Sequence, residues 1–516
     1  MSLDEPRLPI EGRADPESGG PPPPDHVDVI IVGAGLSGIG AAWHLKHRCP
    51  GRGWLILEAR DAIGGTWDLF RYPGIRSDSD MFTLGYAFKP WTEAKAIADG
   101  PSILDYVRQT AAENGIDRRI RFRHRVTRAD WSSRDARWTV EAVREGSGET
   151  VRLTCNFLHL CSGYYDYGQG HDPDWPGRER FAGRIVHPQF WPEDLDYRER
   201  KVVVIGSGAT AVTLVPALAE QAAHVTMLQR SPTYIVSRPS RDRIADTLRR
   251  LLPAKLAYGL VRWKNVLLQL LFFQLARKRP AKVKAKLLRL VRDELGPDYD
   301  VETHFTPRYN PWQQRLCLVP DSDLFEAIRE GRASVVTDEI ESFTEKGLKL
   351  RSGGELEADI VATATGLKVK LLGDVAFTVD GAACDFSRSL TYKGMMFSDV
   401  PNLAYTFGYT NASWTLKADL TALYLCRLLN HMARTGCTTV VPRRGTGVEE
   451  VPFIDFTSGY VQRALASLPK QGSRRPWKLH QNYALDLAAL KLGRVDDGTL
   501  VFTRGGEVPA RVTEAA

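Results

Sequence analysis

Two glycine-rich segments of the chain have the residue spacing that binds the pyrophosphate of a dinucleotide. Their fixed positions are Gly33, Gly35, Gly38, Gly206, Gly208 and Ala211. In such a segment the first glycine permits a tight turn, the second lets the backbone approach the ligand, and the third position lets helix and strand pack closely. The pyrophosphate then lies at a helix N-terminus, where free N–H groups favour an anion. Two segments in one chain predict two dinucleotides and electron transfer between them.

The residues at the end of each following strand indicate which dinucleotide each segment binds. Glu58 lies twenty residues after Gly38, where a carboxylate binds ribose hydroxyls. In the second unit this acid is missing and Arg230 stands there, so its guanidinium can bind a 2′-phosphate. The second unit is therefore predicted to prefer NADP over NAD, with Thr210 or Ser231 as a further contact to the phosphate. The alternative is that Arg230 is a surface residue without a ligand.

Hydrophobic patterning places both segments between a buried strand and a helix. The predicted elements are strands 26–32 and 54–58 with helix 37–47, and strands 201–205 and 224–228 with helix 209–221. Two further apolar runs, 156–163 and 359–366, end in glycine and predict buried strands that carry the chain between domains. The fold class is therefore α/β, with two Rossmann-like domains of which the second is inserted in a discontinuous first.

Length and composition describe a multidomain globular protein. The chain has 516 residues, and this length exceeds what a single hydrophobic core usually supports, so two or more domains are expected. Its composition, 43% hydrophobic and 25% charged residues, is that of an ordinary globular protein. The seven cysteines are scattered, and this argues against a disulfide framework, a metal site or a redox-active pair and favours a cytoplasmic setting. Residues 1–25 are rich in proline and glycine and predict a disordered leader rather than a signal peptide.

The positive charge is concentrated in one segment. Residues 249–292 contain thirteen Lys and Arg and no Asp or Glu, so the net charge of +7 becomes 7 − 13 = −6 for the remainder. Its apolar spacing predicts one long helix and a shorter one from 281 to about 295. The favoured interpretation is a helical insertion packed on its host domain. The alternative is a surface that contacts anionic lipid or lines the route of an apolar substrate. Nucleic-acid binding is not expected, because no known nucleic-acid-binding motif accompanies this positive charge.

A twelve-residue segment between the two glycine-rich units carries a family resemblance. Phe181, Gly183, His187, Trp191 and Pro192 match the pattern Phe-x-Gly-x-x-x-His-x-x-x-Trp-Pro. A second pattern is met at Gly65, Trp67, Tyr72, Pro73, Gly74 and Asp78. The chain thus resembles the class B flavin monooxygenases, and within them the Baeyer–Villiger monooxygenases, over residues 26–450. The segments at 70–80, 309–316 and 408–417 look like the branch with the mycobacterial ethionamide-activating enzyme.

The resemblance implies a domain plan and two cofactors. FAD would bind the first unit, with Gly65, Thr66 and Trp67 in a loop against the flavin, and NADPH would bind the second. The predicted segments are a leader 1–25, FAD domain 26–165, linker 166–195, NADP domain 196–335 with a basic helical insertion 244–295, FAD domain 336–450 and a C-terminal segment 451–516.

The resemblance also implies a reaction and its residues. NADPH would reduce FAD, and O₂ would give a flavin C4a-peroxide that converts a ketone to an ester or oxidises a sulfide or thioamide. Arg315 matches the family arginine that stabilises the peroxide, and Asp78 matches the carboxylate that holds it. Many relatives have Lys before this arginine, whereas Gln314 stands here. The loss of that cation would either weaken NADPH affinity or leave phosphate recognition to Arg230 alone. His187 would be a hinge or a structural linker residue, and Ser413 would cap a helix near Trp414.

Three other function classes compete with this reading. Heteroatom-oxidising flavin monooxygenases share both glycine-rich segments. Disulfide reductases with two dinucleotides would need a redox-active cysteine pair, which this sequence lacks. A non-catalytic nucleotide sensor is the third. The expected partners are O₂ and a small hydrophobic ketone or sulfide, with peripheral membrane contact through 249–292 left open.

Overall fold

The computed structural model describes residues 26–505. The predicted leader 1–25 and the last part of the predicted C-terminal segment, 506–516, therefore lie outside the described residues. The helices are α1 (Leu36–Arg48), α2 (Thr66–Leu69), α3 (Met81–Leu84), α4 (Gly100–Glu113), α5 (Ala209–Leu218), α6 (Arg243–Leu251), α7 (Ala254–Lys278), α8 (Pro280–Leu295), α9 (Val301–Phe305), α10 (Asp323–Arg329), α11 (Trp414–Thr435), α12 (Gly459–Ala464) and α13 (Tyr483–Leu487).

Most strands are short, and they form two large sheets and several small sheets of two or three strands. They are β1 (His26–Val32), β2 (Trp54–Leu57), β3 (Ile120–Arg121), β4 (His124–Ser132), β5 (Arg137–Arg144), β6 (Thr150–Leu160), β7 (Tyr165–Gly170), β8 (Arg184–Val186), β9 (Lys201–Ile205), β10 (His224–Gln229), β11 (Ile235–Arg238), β12 (Cys317–Pro320), β13 (Ala333–Thr337), β14 (Ile340–Thr344), β15 (Gly347–Leu350), β16 (Glu355–Glu357), β17 (Ile360–Thr363), β18 (Leu367–Val369), β19 (Ala376–Val379), β20 (Ala382–Ala383), β21 (Thr391–Tyr392), β22 (Met396–Phe397), β23 (Leu403–Tyr405), β24 (Thr439–Pro442), β25 (Glu450–Pro452), β26 (Lys470–Gly472) and β27 (Leu500–Thr503).

The first domain is built on a nine-stranded sheet. Its order is β20-β19-β4-β5-β6-β1-β2-β3, and β23 pairs with β6. β1 lies between β2 and β6 in parallel register, and its residues from Val29 to Ile31 are fully buried. A central strand covered on both faces must be apolar throughout, which explains the unbroken β-branched run before Gly33.

The second domain is built on a five-stranded parallel sheet of order β13-β10-β9-β17-β8. α5 follows β9 and packs its apolar residues on this sheet. A three-stranded antiparallel sheet, β14-β15-β16, is attached to it. The predicted α/β class with an inserted second domain is confirmed by this topology.

The strand pairing moves the predicted domain boundaries. β8 lies in the predicted linker 166–195, and β17 lies in the predicted second part of the first domain, 336–450, yet both pair within the second sheet. The strands at 156–163 and 359–366 were expected to cross between domains. Instead the crossing strands are the next ones, β7 and β18, which pair with each other antiparallel. Parallel pairing joins segments distant in sequence, so local patterning does not determine these boundaries.

The basic helices form as predicted but pack elsewhere than expected. α7 and α8 cover 254–278 and 280–295, in agreement with one long and one shorter helix. However, Tyr258 and Val261 of α7 belong to the core of the first domain. Buried Arg262 donates to the carbonyl oxygens of Phe82 and Gly85, both at 2.7 Å. The expectation that the insertion packs on its host domain is therefore wrong for α7, which covers the first domain.

Candidate active site

A cavity of about 930 Å³ lies between the two domains, within the size range of cofactor pockets. Predicted site residues that line it are Gly33, Gly35, Glu58, Gly65, Thr66, Trp67, Asp78, Thr210 and Arg315. Predicted site residues absent from its lining are Gly38, Gly206, Gly208, Ala211, Arg230, Phe181, Gly183, His187, Trp191 and Pro192. The fold thus brings the first glycine-rich segment and the two predicted catalytic residues to one space.

The first glycine-rich turn has a backbone that other residues would not fit. Gly33 has φ +105°, and a Cβ atom there would lie 2.6 Å from the carbonyl oxygen of Cys161. A Cβ at Gly38 would lie 1.9 Å from the carbonyl oxygen of Gly33, so α1 could not approach the turn. Both glycines therefore have the steric roles that the sequence predicted.

Glu58 closes the same turn from the end of β2. Its carboxylate accepts from the backbone N–H of Ala34 at 2.6 Å and of Arg60 at 2.9 Å. Burial raises the pKa of Glu58, whereas these two backbone donors lower it and oppose the shift. The side chain is buried and also faces the cavity, so its position suits a contact to a ligand hydroxyl.

The second glycine-rich turn has the same design with more open space. Gly206 has φ +137°, and a Cβ there would lie 2.3 Å from the carbonyl oxygen of Ala364. At Gly208 no described atom lies within 4 Å of an added Cβ, so a ligand could approach the backbone there. Ala211 is buried in the core of the second domain, while Arg230 is exposed at the end of β10.

The loop after β2 joins the two domains. Gly65, with φ +57°, packs against Gly35, and Thr66 Oγ1 lies 3.0 Å from the hydroxyl of Tyr167. A Cβ at Gly74 would lie 2.7 Å from the Cβ of Ala217 on α5. The loop is therefore pressed directly onto the helix of the second glycine-rich unit.

Ion pairing and burial add to this contact between the loop and the second domain. Tyr72 is buried in the core of the second domain, and Arg76 makes an ion pair with Asp323 at the start of α10. These contacts fix the position of Asp78, two residues further along the loop.

Asp78 and Arg315 reach the cavity from different domains. Asp78 follows the docked loop, and Arg315 lies two residues before β12. Within residues 26–505 the structure has no hydrogen bond or ion pair between them. Burial raises the pKa of Asp78, although the positive charges of Arg315 and Arg76 oppose the shift.

Aromatic residues that were not predicted as site residues from the sequence form much of the cavity wall. Tyr164 stacks on Trp414 with ring centroids 5.0 Å apart, and their planes are inclined by 10°. The indole N–H of Trp414 donates to Ser37 Oγ at 2.7 Å. Tyr165 completes the group, with its hydroxyl 2.5 Å from that of Tyr164. The signal in the sequence was the group of three tyrosines within 164–167, directly after the apolar run 156–163.

The fingerprint residues support the domain crossing instead of lining the cavity. Phe181 packs edge-on against Phe343, with centroids 6.0 Å apart, and Trp191 packs on the second domain's core. The His187 ring lies against Gly170 at the end of β7, where a Cβ would be 2.1 Å from its Cε1 atom. Its Nδ1 atom accepts from the Gln189 N–H at 3.2 Å. Burial lowers the pKa of His187, which favours the neutral ring.

The predicted cap at Ser413 differs in detail. α11 begins at Trp414 with Ser413 at its N-cap position, yet the Ser413 side chain makes no capping hydrogen bond. Its hydroxyl lies 2.5 Å from Thr83 Oγ1 instead. The helix boundary is as predicted, but the role of the hydroxyl is to join α11 to α3.

Family models match two consecutive parts of the chain. The model of an NAD(P)-binding Rossmann-like domain matches residues 31–96, and the flavin-binding monooxygenase-like model matches 95–259. Among solved structures, an oxidized steroid monooxygenase bound to NADP has a TM-score of 0.72 and 22% identity, covering 93% of this chain and 100% of that one. Cyclohexanone monooxygenase from Rhodococcus sp. Phi1 bound to NADP+ has a TM-score of 0.72 and 19% identity, covering 94% and 100%. At this identity the likeness concerns the fold.

Curated relatives are much closer in sequence. FAD-containing monooxygenase EthA of Mycobacterium tuberculosis is 58% identical over 482 residues, which are 93% of this chain and 98% of that protein. The putative FAD-containing monooxygenase MymA of the same species is 51% identical over 488 residues, with coverage of 93% and 98%. This likeness spans both domains and the cavity between them. The chain therefore belongs to the family of FAD-containing monooxygenases that includes EthA and MymA.

Proposed function

We propose that this enzyme is an NADPH- and O₂-dependent monooxygenase of the Baeyer–Villiger type. It inserts an oxygen atom beside a ketone carbonyl to give an ester, and it also oxidises sulfides and thioamides. The observation that carries the proposal is the entry of Arg315, from the second domain, into a cavity built on the first glycine-rich turn. Such an arrangement joins a dinucleotide site to a fixed cation.

The residues of the first domain fit an FAD. The tight turn at Gly33 and Gly35 would let a pyrophosphate approach the N-terminus of α1, and Glu58 would bind the ribose hydroxyls. Gly65, Thr66 and Trp67 line the cavity and would contact a bound flavin. When bound, the flavin accepts a hydride from NADPH and activates O₂. The chain's own residues bind and orient it, and they keep water away from the reacting atoms.

The second unit holds NADPH. Gly206, Gly208 and Ala211 form the pyrophosphate turn, and the open space at Gly208 supports a close approach of the ligand. Thr210 lines the cavity and Arg230 is exposed at the strand end, where it binds the 2′-phosphate. Because Gln314 carries no charge, Arg230 supplies the principal cation for this recognition.

Arg315 and Asp78 provide the electrostatics of the reaction. A guanidinium held in the cavity stabilises the negative charge that develops on oxygen during transfer. Asp78 attracts the guanidinium across the cavity and limits the positions it takes. The stacked pair Tyr164 and Trp414 closes one wall against solvent, which strengthens this attraction because water is excluded.

His187 has a mechanical role in the proposal. Its ring packs at the end of β7, the first of the two crossing strands, next to His171, whose backbone N–H donates to the carbonyl oxygen of Gly366 at 3.0 Å. A neutral ring at this point couples the orientation of the second domain to the linker. Phe181, Gly183, Trp191 and Pro192 keep the linker packed on that domain.

The substrate is a small hydrophobic ketone or sulfide. The aromatic lining of the cavity supports an apolar substrate. The test supplies NADPH, O₂ and either a ketone series or a thioether, and identifies the products by gas chromatography. Ester from the ketone supports the Baeyer–Villiger assignment. Sulfoxide without any ester would instead assign the enzyme to the heteroatom-oxidising class.

A further inference from the structure

One face of α7 is apolar and open to solvent along its whole length. We call this set the leucine face: Leu256, Leu260, Trp263, Leu267, Leu268, Leu271 and Leu275. Each of these side chains is between 40% and 57% exposed. Except for the adjacent pair Leu267 and Leu268, they recur every three or four residues, so they form one stripe of about 28 Å at 1.5 Å per residue. A contiguous apolar surface of this kind marks an interaction site rather than an ordinary surface.

The leucine face does not hold α7 on the protein. The opposite side of the helix does so, with Tyr258 donating to the carbonyl oxygen of Tyr86 at 3.0 Å. Arg262 bonds two carbonyl oxygens of the first domain, and Asn265 donates to Asp80 at 2.8 Å. The exposed leucines are therefore not needed to hold α7 on the protein.

The apolar surface continues onto the C-terminal segment. Trp263 lies 5.7 Å from Tyr483, measured between ring centroids, at the start of α13. Leu485 and Leu492 follow and are 42% and 76% exposed. Trp and Tyr at the edge of an apolar surface are typical of positions at a membrane–water interface.

The charge around this face selects the partner. Lys255, Lys278, Lys282 and Lys286 are exposed, and none makes an ion pair within the part of the chain that the structure describes. The whole segment 249–292 has no acidic residue. A second copy of the chain would bring the same positive charge and be repelled, whereas an anionic surface is attracted by each basic residue.

We propose that the leucine face docks on an anionic lipid bilayer, with α7 lying in the plane of the interface. Leucine and tryptophan side chains enter the boundary of the acyl chains, and the lysines contact the headgroups. In the described residues, no helix has the length and apolar character needed to cross a membrane.

Docking would place the active site close to the lipid phase. α7 contacts both segments that carry the predicted catalytic residues, since Gln269 donates to Asp80 at 3.3 Å and Phe273 packs on Trp312 at 5.6 Å. The delivery of apolar substrates from the bilayer rests on the proposed function. The docking itself does not, because it is measured without turnover.

The experiment sediments the full-length holoenzyme with phosphatidylcholine vesicles that contain or lack phosphatidylglycerol. The variant Leu267→Gln/Leu271→Gln removes two leucines of the face, and glutamine keeps the helix because its propensity is similar. Val501→Gln is the matched control, an exposed apolar residue on β27. Lys282→Glu/Lys286→Glu tests the charge. The absorbance of bound FAD in wild type tests the proposed cofactor. The same absorbance in each variant shows whether that variant is folded.

We expect wild type and the Val501 variant to bind the anionic vesicles equally and the leucine variant to bind more than tenfold more weakly. The charge variant should lose the preference for phosphatidylglycerol, and added salt should weaken wild-type binding. Unchanged binding of the leucine variant would overturn the proposal, as would equal binding to both kinds of vesicle. A change of oligomeric state in the leucine variant, without a change in vesicle binding, would instead identify an interface between copies.

Discussion

Arg76 of the first domain makes an ion pair with Asp323 of the second, and this contact fixes the loop that ends at Asp78. The side chains are only 11% and 30% exposed, so the ion pair is largely buried away from solvent. Gly74 presses the same loop onto α5. The relative position of the two domains, and hence of the two predicted catalytic residues, depends on this small contact.

Removing one charge of this pair should loosen the loop without emptying the first domain's cofactor site. Asp323→Asn leaves Arg76 partly buried and unpaired, and we expect a loss of about 1–3 kcal/mol in the free energy of unfolding. The rate of product formation should fall while the FAD content is unchanged. Urea denaturation and steady-state assays measure both. Glu341→Gln, which breaks the exposed pair with Lys349, should change the free energy of unfolding much less. Equal effects of the two substitutions would contradict this account.

Two glycine substitutions should separate folding from ligand binding. Gly38→Ala puts a Cβ 1.9 Å from a backbone oxygen, so we expect protein that folds poorly or lacks FAD. Gly208→Ala meets no described atom within 4 Å, so the protein should fold, keep FAD and show a KM for NADPH raised about tenfold or more. Flavin absorbance and NADPH titration distinguish them. Normal NADPH affinity in the Gly208 variant would remove its assignment as a ligand contact.

Arg230 should decide between the two nicotinamide cofactors. Because the side chain is exposed, Arg230→Gln should leave stability unchanged. Loss of a charge-assisted contact to the 2′-phosphate should raise the KM for NADPH roughly tenfold to a hundredfold and leave that for NADH the same. Arg200→Gln, an exposed arginine elsewhere in the chain, is the control. If both cofactors respond equally, Arg230 does not contact the 2′-phosphate.

Local signals in the sequence predicted the parts of the fold that depend on local conformation. The glycine turns follow from positive φ and close approach, and both helices of the basic segment follow from apolar spacing. The second sheet includes β8 and β17, which lie far apart in the chain, and α7 packs on the other domain. Such contacts depend on tertiary packing, which no local pattern encodes. For the same reason the stacking of Tyr164 on Trp414, across 250 positions, was missed.

His159 should make the stability of the first domain depend on pH. It is fully buried in β6, and burial lowers its pKa from 6.5 to about 4. The folded protein keeps the ring neutral, whereas the unfolded chain binds a proton below pH 6.5. The stabilisation is therefore complete above pH 6.5 and is lost as the pH falls toward 4. At pH 5 the loss is about 2 kcal/mol.

The comparison of wild type with His159→Gln isolates this effect. Urea denaturation at pH 7.5 and at pH 5 gives the change in unfolding free energy for each protein. The variant should be less sensitive to pH by about 2 kcal/mol, even if it is less stable at both values. The same pH dependence in both proteins would rule out His159 as the origin.

In the proposed reaction, electrons from NADPH and an oxygen atom from O₂ meet beside Arg315. The direct measurement supplies ¹⁸O₂, NADPH and a ketone to wild type and to Arg315→Ala, with exposed Arg308→Ala as control, and detects the ester by mass spectrometry. Wild type and control should give ester with one ¹⁸O atom. The Arg315 variant should keep FAD, still oxidise NADPH and form ester at least a hundredfold more slowly. Unchanged labelled ester from that variant, or wild-type protein that binds no flavin, would contradict the account.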